Sequence, residues 1–330
     1  MISVYIISRE FNIPLGQLIL YSSFPSAIFF MVPYSEALFL LGGAFILVGL
    51  NKNHLALILI GVVLACTTRS IGFILSLCFL FTYLIKANRP FTRKDHVYSL
   101  LPIAVALIVN WAVQLYQFDQ SGVHFNYLEV QEQWERVLDF PSLPLTARPI
   151  PSSAWADYLA LFVGILSGVI LIRLFFEKKT DAEYRIEKPA MFSLFYLAGI
   201  TCVILLFSGK YVAGSTVIAS LNRYVFATPY FLLFIQEMTS QATRAKRKKV
   251  IFSILSLSIL EWGLLTFGLN RVVIELNWQV YFLIVLTLPF IYFHALVKHT
   301  RLKWWIPLYL ISTLLQAYFL GLFISERWIG

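Results

Sequence analysis

The sequence predicts an all-α fold, a polytopic bundle of transmembrane helices, on three observations. Of the 330 residues, 59% are apolar and 13% are charged, against roughly 45–50% and 25% in soluble domains. The mean hydropathy of the chain is +0.77. Apolar runs follow one another through almost the whole chain, and in lipid such runs satisfy their backbone as helices. At about 20 residues per span, the chain holds about ten or eleven membrane segments and no sizeable water-soluble domain.

The apolar runs give the predicted helices in order. They lie at 13–32, 34–50, 54–66, 71–85, 98–117, 155–176, 190–207, 217–236, 250–268, 278–297 and 304–324. The run from Met1 to Ser8 is too short to span a membrane, and we interpret it as the end of a helix whose beginning is missing. It also lacks the basic leader of a signal peptide.

Basic residues mark every second connection, which predicts one topology. Nineteen of the 26 Lys and Arg residues fall at Arg9, at Lys52 and in clusters within 86–94, 173–188, 244–249 and 298–303. The positive-inside bias places these connections in the cytoplasm. The net charge of +9 is then a property of cytoplasmic loops, so membrane lipid is an expected partner and nucleic acid is not. The opposite side carries 24–33, 67–72, 118–154, 208–216 and 269–277.

The longest of these outer connections, 118–154, is predicted to contain a helix lying in the membrane interface. Tyr127, Val130, Trp134, Val137 and Leu138 share one helical face, opposite a polar face. Four later prolines predict an extended path after that helix; they are Pro141, Pro144, Pro149 and Pro151.

Three ionisable residues at the outer ends of apolar runs are candidates for chemistry: Glu36, Arg69 and Arg223. A charge inside apolar sequence costs a few kcal/mol unless it faces a wet cavity or a partner. A guanidinium stays charged and donates parallel hydrogen bonds to phosphate oxygens. Two alternatives stay open: Glu36 and Arg69 form a purely structural ion pair, or the arginines reach out to the interface.

No metal site or cofactor is predicted. The five histidines have no ligand spacing, and the three cysteines lie singly within apolar runs, as small hydrophobic residues do.

Five short motifs in the same order give the sequence a resemblance to a known family. They are Phe24-Pro25-Ser26-Ala27-Ile28-Phe29-Phe30, Pro33-Tyr34-Ser35-Glu36-Ala37-Leu38-Phe39, Thr68-Arg69-Ser70-Ile71-Gly72, Gln131-x-x-Trp134-x-Arg136, and Arg223-Tyr224 followed by Pro229. This pattern resembles the PIG-V family of integral-membrane mannosyltransferases, which have the GT-C fold. The likeness extends over residues 11 to 236.

The resemblance implies a glycosyltransferase that moves mannose or a similar sugar. Its donor is a polyprenyl-phosphate sugar, and its acceptor is lipid-linked or a glycan on the extracytoplasmic face. It divides the chain into a GT-C-like module, 1–236, covered by the loop 118–154, and further C-terminal helices, 237–330. Glu36 and Arg69 are the implied catalytic pair. The implied substrate-binding residues are Tyr34, Ser35, Ser70, Gln131, Trp134, Arg136, Arg223 and Tyr224.

One departure from the family pattern limits the expected activity. The family carries a catalytic aspartate in an Arg-Trp-Asp type segment after its first helix, and nothing before Tyr34 matches it. A general base contributes typically 10²–10⁴-fold to rate, so this polypeptide alone is expected to transfer sugar poorly or not at all. Two other functions remain as alternatives: a lipid or polysaccharide transporter, which predicts midplane charges, and a non-catalytic membrane subunit. The expected location is a bacterial plasma membrane with the site facing outward, or the endoplasmic reticulum in a eukaryote.

Overall fold

The computed structural model describes residues 2–23, 25–30, 35–86, 92–121, 136–141, 145–147, 151–176, 186–209, 216–218, 220–244 and three pairs between 313 and 321. These residues are mostly helical, as the sequence predicts. The α-helices are α1 (Ile2–Glu10), α2 (Leu15–Ser23), α3 (Glu36–Lys52), α4 (Leu55–Thr68), α5 (Gly72–Lys86), α6 (Arg93–Ser121), α7 (Pro151–Phe176), α8 (Lys188–Leu206), α9 (Leu221–Val225) and α10 (Pro229–Arg244). The predicted segments 250–268 and 278–297 lie outside the described residues, as does most of 304–324.

Two of the predicted helices are wrong because prolines interrupt them. The run 13–32 holds only the nine-residue α2, followed by a 3-10 helix at Pro25–Phe30. The run 217–236 holds a strand, the short α9 and then α10, which begins at Pro229. Proline has no N–H to donate to the preceding turn, so a helix begins at such a residue more readily than it continues through it.

A small β-sheet lies at one end of the helices, and the sequence analysis does not predict it. Its strands are β1 (Arg136–Leu138), β2 (Leu145–Ala147), β3 (Phe207–Gly209) and β4 (Thr216–Ile218), in the order β1-β3-β4-β2. β1 pairs antiparallel with β3, β3 antiparallel with β4, and β4 parallel with β2. β3 continues directly from α8, so the sheet is attached to that end of the bundle.

The sheet and α7 correct two expectations for the outer connection. Val137 and Leu138, predicted on the face of an interface helix, are in β1, where the backbone pairs with β3. Pro151, predicted on an extended path, is the first residue of α7, a position where a missing N–H removes no helical bond. The connection is also shorter than predicted, because α6 continues to Ser121.

Helices α3 and α4 approach each other backbone to backbone. A Cβ atom added at Gly61 would lie 2.5 Å from the carbonyl oxygen of Gly42 and 2.7 Å from the amide nitrogen of Ile46. The close approach therefore depends on glycine at both positions, a packing mode typical of membrane helices. Between the two helices, the tight turn at Asn53 takes a left-handed conformation with φ of 51°.

The polar contacts collect at two opposite ends of α3. At its last residue, Lys52 pairs with Glu10 at 2.9 Å between Nζ and Oε2. The adjacent Asn53 accepts hydrogen bonds from Tyr98, near the start of α6, and from Lys188, the first residue of α8. We call this the Lys52 end. The first residue of α3, Glu36, lies at the other end, the Glu36 end, with the last turn of α4 and the sheet. Seventeen residues of helix separate the two ends, about 25 Å at 1.5 Å per residue.

Three helices in the described part of the chain are long and apolar enough to cross a membrane: Arg93–Gln120, Leu159–Phe176 and Lys188–Leu206. α6 leaves a row of large apolar side chains exposed, including Leu107, Ile108 and Trp111. α7 exposes Ile165, Val169 and Ile172 in the same way. α3 and α10 instead lie among other helices, with most of their described side chains buried. Among the described residues, α3 and α10 therefore lie in the core, whereas α6 and α7 carry many large exposed apolar side chains.

Candidate functional site

The Glu36 end contains a buried cluster of one carboxylate and two guanidinium groups. Arg69 donates from Nη2 to Oε1 of Glu36 at 2.7 Å. Arg223 donates from Nε to the same oxygen. The side chain of Glu36 is 0% exposed, that of Arg69 5% and that of Arg223 18%. The cluster has a formal net charge of +1, and Arg223 is its least buried member.

Two aromatic rings enclose the guanidinium of Arg69. The rings of Phe39 and Tyr224 each have their centroid 4.6 Å from its central carbon. Such stacking adds about 0.5–2 kcal/mol per contact and leaves only in-plane hydrogen bonds to be made. Tyr196 also lies beside the guanidinium. Among the described residues, Nε and Nη1 of Arg69 have no partner in hydrogen-bonding geometry, and neither has Oε2 of Glu36.

Local sequence explains how α3 and α4 bring these groups together. Glu36 and Phe39 are three residues apart at the start of α3, so they lie on one face of the helix. α4 ends at Thr68, and Arg69 leaves the helix in an extended conformation with φ of −148°. The hydroxyl groups of Thr67 and Thr68 donate to carbonyl oxygens of the last helical turns. Arg69 is thereby placed at the end of α4, next to the first residue of α3.

Arg223 reaches the cluster from the short helix α9. The preceding residue, Ser220, has a left-handed backbone with φ of 62°, and its side chain does not cap the helix. The amide N–H of Asn222 donates instead to Oδ1 of Asp157 at 2.8 Å. The carboxylate of Asp157 also lies near the backbone N–H groups of Ser220 and Leu221 and near the side chain of Asn222.

Asp157 is the residue of this region that sequence reasoning missed. It is only 4% exposed and lies near the start of α7. The available signal was a lone carboxylate inside the apolar run 155–176, and such residues are rare unless paired or functional. An aspartate near a helix start also suits an ordinary first-turn position, so the signal is easily discounted.

The structure brings together some of the sequence-predicted site residues. Glu36, Arg69, Arg223 and Tyr224 form one connected cluster. Ser35 immediately precedes α3 and is half-buried, and Ser70 is exposed in the turn after α4. The backbone of Arg136 is in β1. Tyr34, Gln131 and Trp134 lie outside the described residues. No group of three or more His, Cys, Asp or Glu side chains in the described part of the chain is placed to hold a metal ion.

Comparisons of the chain with protein-family models, with curated proteins and with solved structures found no match. The resemblance to the PIG-V family therefore rests on the five sequence motifs alone.

Proposed function

We propose that this chain is a multi-pass membrane glycosyltransferase of the GT-C kind. In this proposal it moves mannose or a similar sugar from a polyprenyl-phosphate donor to a lipid-linked or glycan acceptor on the extracytoplasmic side. The observation that carries the proposal is the cluster of Arg69 and Arg223 around Glu36, buried at one end of a helical bundle.

The distribution of apolar and charged side chains supports the membrane part of the proposal. In water, the exposed apolar rows of α6 and α7 would form patches of the kind that monomeric soluble proteins rarely show. In a bilayer these rows would face lipid. The two polar ends of α3 are about 25 Å apart, close to the roughly 30 Å hydrocarbon thickness. Among the described residues, Lys52, Lys94 and Lys188 lie at the Lys52 end, so the Glu36 end would face away from the cytoplasm.

The charge of the cluster suits the leaving group of such a donor. When the sugar departs, the polyprenyl phosphate carries the bonding electron pair as negative charge, and fixed cations stabilise that charge in the transition state. Arg223 is the more exposed of the two arginines, so we assign the contact with the donor phosphate to it. Arg69, enclosed by Phe39 and Tyr224, fixes the position of Glu36 and adds positive potential.

Glu36 also offers a hydrogen-bond acceptor to the second substrate, the lipid-linked or glycan acceptor of the sugar. Its Oε1 atom accepts hydrogen bonds from both arginines, whereas Oε2 has no hydrogen-bond partner in the described part of the chain. We propose that Oε2 accepts the hydrogen bond of the acceptor hydroxyl and orients it toward the sugar. A general base for full activity is a separate requirement, since the family's Arg-Trp-Asp type segment has no counterpart before Tyr34.

Donor binding tests the proposal without requiring turnover. The purified chain in lipid nanodiscs is titrated with polyprenyl-phosphate mannose, with the polyprenyl phosphate and with the uncharged polyprenol. We expect both phosphate-bearing lipids to bind at least tenfold tighter than polyprenol, and Arg223→Gln to remove most of this preference. Lys52→Gln removes a cation from the opposite end of α3 and is the matched control. It should leave the preference for the phosphate-bearing lipids unchanged.

Other outcomes of the same experiment favour the alternatives. If neither phosphate-bearing lipid binds better than polyprenol, the proposal is wrong and a non-catalytic subunit is favoured, because the ion cluster then only holds helices together. If proteoliposomes carrying the chain move labelled polyprenyl phosphate between leaflets, a lipid transporter is favoured instead.

A further inference from the structure

We propose that Asp157 is the positioning residue of Arg223: it holds the turn Ser220–Asn222 in place and thereby sets where the Arg223 guanidinium meets Glu36. The turn consists of the last residue before α9 and the first two residues of that helix, so its conformation decides the direction in which α9 begins. Arg223 is the residue directly after the turn. That this placement serves donor binding rests on the proposed function, whereas the holding of the turn does not.

The start of α9 needs an acceptor from outside the helix. Ser220 makes no side-chain cap, and Asn222 is 2% exposed, so water does not reach its N–H. A buried N–H group without an acceptor is destabilising. Asp157 supplies that acceptor to the N–H group of Asn222, and its carboxylate also lies near the N–H groups of Ser220 and Leu221. The hydrogen bond from Asn222 therefore ties the beginning of α9 to a neighbouring helix, α7.

The backbone at Ser220 needs to be held as well. A φ of 62° is uncommon for a residue with a Cβ atom, and it is unfavourable relative to the right-handed region. Such a conformation persists only where its surroundings determine it. Without Asp157, the turn would relax toward negative φ, α9 would begin in another direction, and Arg223 would leave Glu36. Asp157 thus acts on the cluster through the turn.

Hydrogen exchange in nanodiscs tests the holding of the turn directly. Asp157→Asn keeps the size of the side chain but loses the charge and one acceptor oxygen. We expect amide exchange in residues 220–226 to rise at least tenfold, with exchange in α3 and α4 within twofold of the wild type. Unchanged exchange in 220–226, or an equal rise throughout the helices, would overturn the proposal.

A rescue experiment separates positioning from a general structural role. Glycine adopts φ of 62° without strain, so Ser220→Gly should restore at least part of the protection lost in Asp157→Asn. If Asp157→Asn alone does not fold, the double variant should accumulate as folded protein. Failure of Ser220→Gly to restore either protection or folding would contradict the proposal.

Binding of polyprenyl phosphate gives the functional consequence. Asp157→Asn should weaken binding by about the same factor as Arg223→Gln, and should have no further effect when Arg223→Gln is already present. An additive loss in the double variant would show that Asp157 does not act through Arg223. If the wild-type chain does not bind polyprenyl phosphate, the proposed function fails, while the exchange and rescue experiments still decide the role of Asp157.

Discussion

At the scale of single residues, the stability of the site depends on a balance between burial and charge. Glu36 is fully buried, and its Oε1 accepts hydrogen bonds from both Arg69 and Arg223. A buried ion pair gains little over apolar residues of the same volume, but removing one partner leaves an uncompensated charge. Removing one charged residue of the cluster is therefore destabilising, although the intact cluster adds little stability. A role in function explains its presence better than a contribution to stability does.

Replacing the cluster in steps tests this balance. Glu36→Leu leaves two guanidinium groups without their carboxylate and should destabilise the protein by about 3–5 kcal/mol. The triple variant Glu36→Leu, Arg69→Met, Arg223→Leu should recover most of that loss and should no longer prefer polyprenyl phosphate over polyprenol. Thermal unfolding and lipid titration measure the two properties. A triple variant that keeps the lipid preference would contradict a functional role for the cluster.

The ion pair at the Lys52 end gives a pH-dependent prediction. Burial works to raise the pKa of Glu10, but hydrogen bonds from Lys52 and Asn51 and the charge of Lys52 outweigh it, so the pKa lies below its ordinary 4.5. A lowered pKa stabilises the folded state above pH 4.5, and this contribution is lost as the pH falls through the folded-state value. It is small, under about 1 kcal/mol, because the side chain of Lys52 is 57% exposed.

Comparing Lys52→Gln with the wild type from pH 7 to pH 3 measures that contribution. The unfolding midpoint of the variant should be slightly lower at pH 7, and the difference should close as the pH falls below 4.5. A difference that grows on acidification would show that another group is responsible.

At the scale of secondary-structure elements, packing between α3 and α4 fixes the distance from Glu36 to Arg69. Gly61 places its backbone against Gly42 and Ile46, so any side chain there meets backbone atoms that cannot rotate away. The separation of these helices decides whether the end of α4 can deliver Arg69 to the first residue of α3.

Gly61→Ala tests the close approach, and Gly168→Ala is its matched control. A Cβ atom at Gly168 meets nothing within 4 Å, so alanine there should be neutral or stabilising by about 0.5–1 kcal/mol. Gly61→Ala gains the same helix propensity but must separate the two helices, and it should lower the unfolding midpoint by several degrees and weaken polyprenyl phosphate binding. Equal midpoints for the two variants would show that the crossing tolerates a methyl group.

The elements also show what sequence can and cannot predict here. The prediction of helices such as α5 and α8 is accurate because uninterrupted apolar runs carry a strong signal. Glu36, Arg69 and Arg223 stand out because ionised side chains are rare in such runs. The four three-residue strands have no usable periodicity, since alternation needs at least about four residues to be visible. The pairs β1–β3 and β2–β4 join segments some 70 residues apart, and a local sequence pattern does not show such pairing.

At the scale of the whole molecule, the proposed function requires the two ends of α3 to lie at opposite membrane faces. Phe140 follows β1 at the Glu36 end and is 84% exposed. Lys94 is exposed in the first turn of α6 at the Lys52 end. The positive-inside bias predicts that Lys94 lies in the cytoplasm and Phe140 outside.

Single cysteines at these two positions test the topology in intact cells. In a background lacking Cys66, Cys78 and Cys202, Phe140→Cys should react with a membrane-impermeant maleimide from outside. Lys94→Cys should react only after the cells are permeabilised. The reverse labelling pattern would show the opposite orientation. Labelling of both positions from outside would show that the chain between them does not cross the membrane.

The most direct test of the central claim is to locate the bound phosphate. A polyprenyl phosphate carrying a photoreactive diazirine beside the phosphate is crosslinked to the chain in nanodiscs, and the modified peptides are mapped by mass spectrometry. The account predicts adducts within 25–39, 65–72 or 220–226 that an excess of polyprenyl phosphate removes and polyprenol does not. Adducts confined to the Lys52 end, or removed equally by polyprenol, would contradict a phosphate site at Glu36, Arg69 and Arg223.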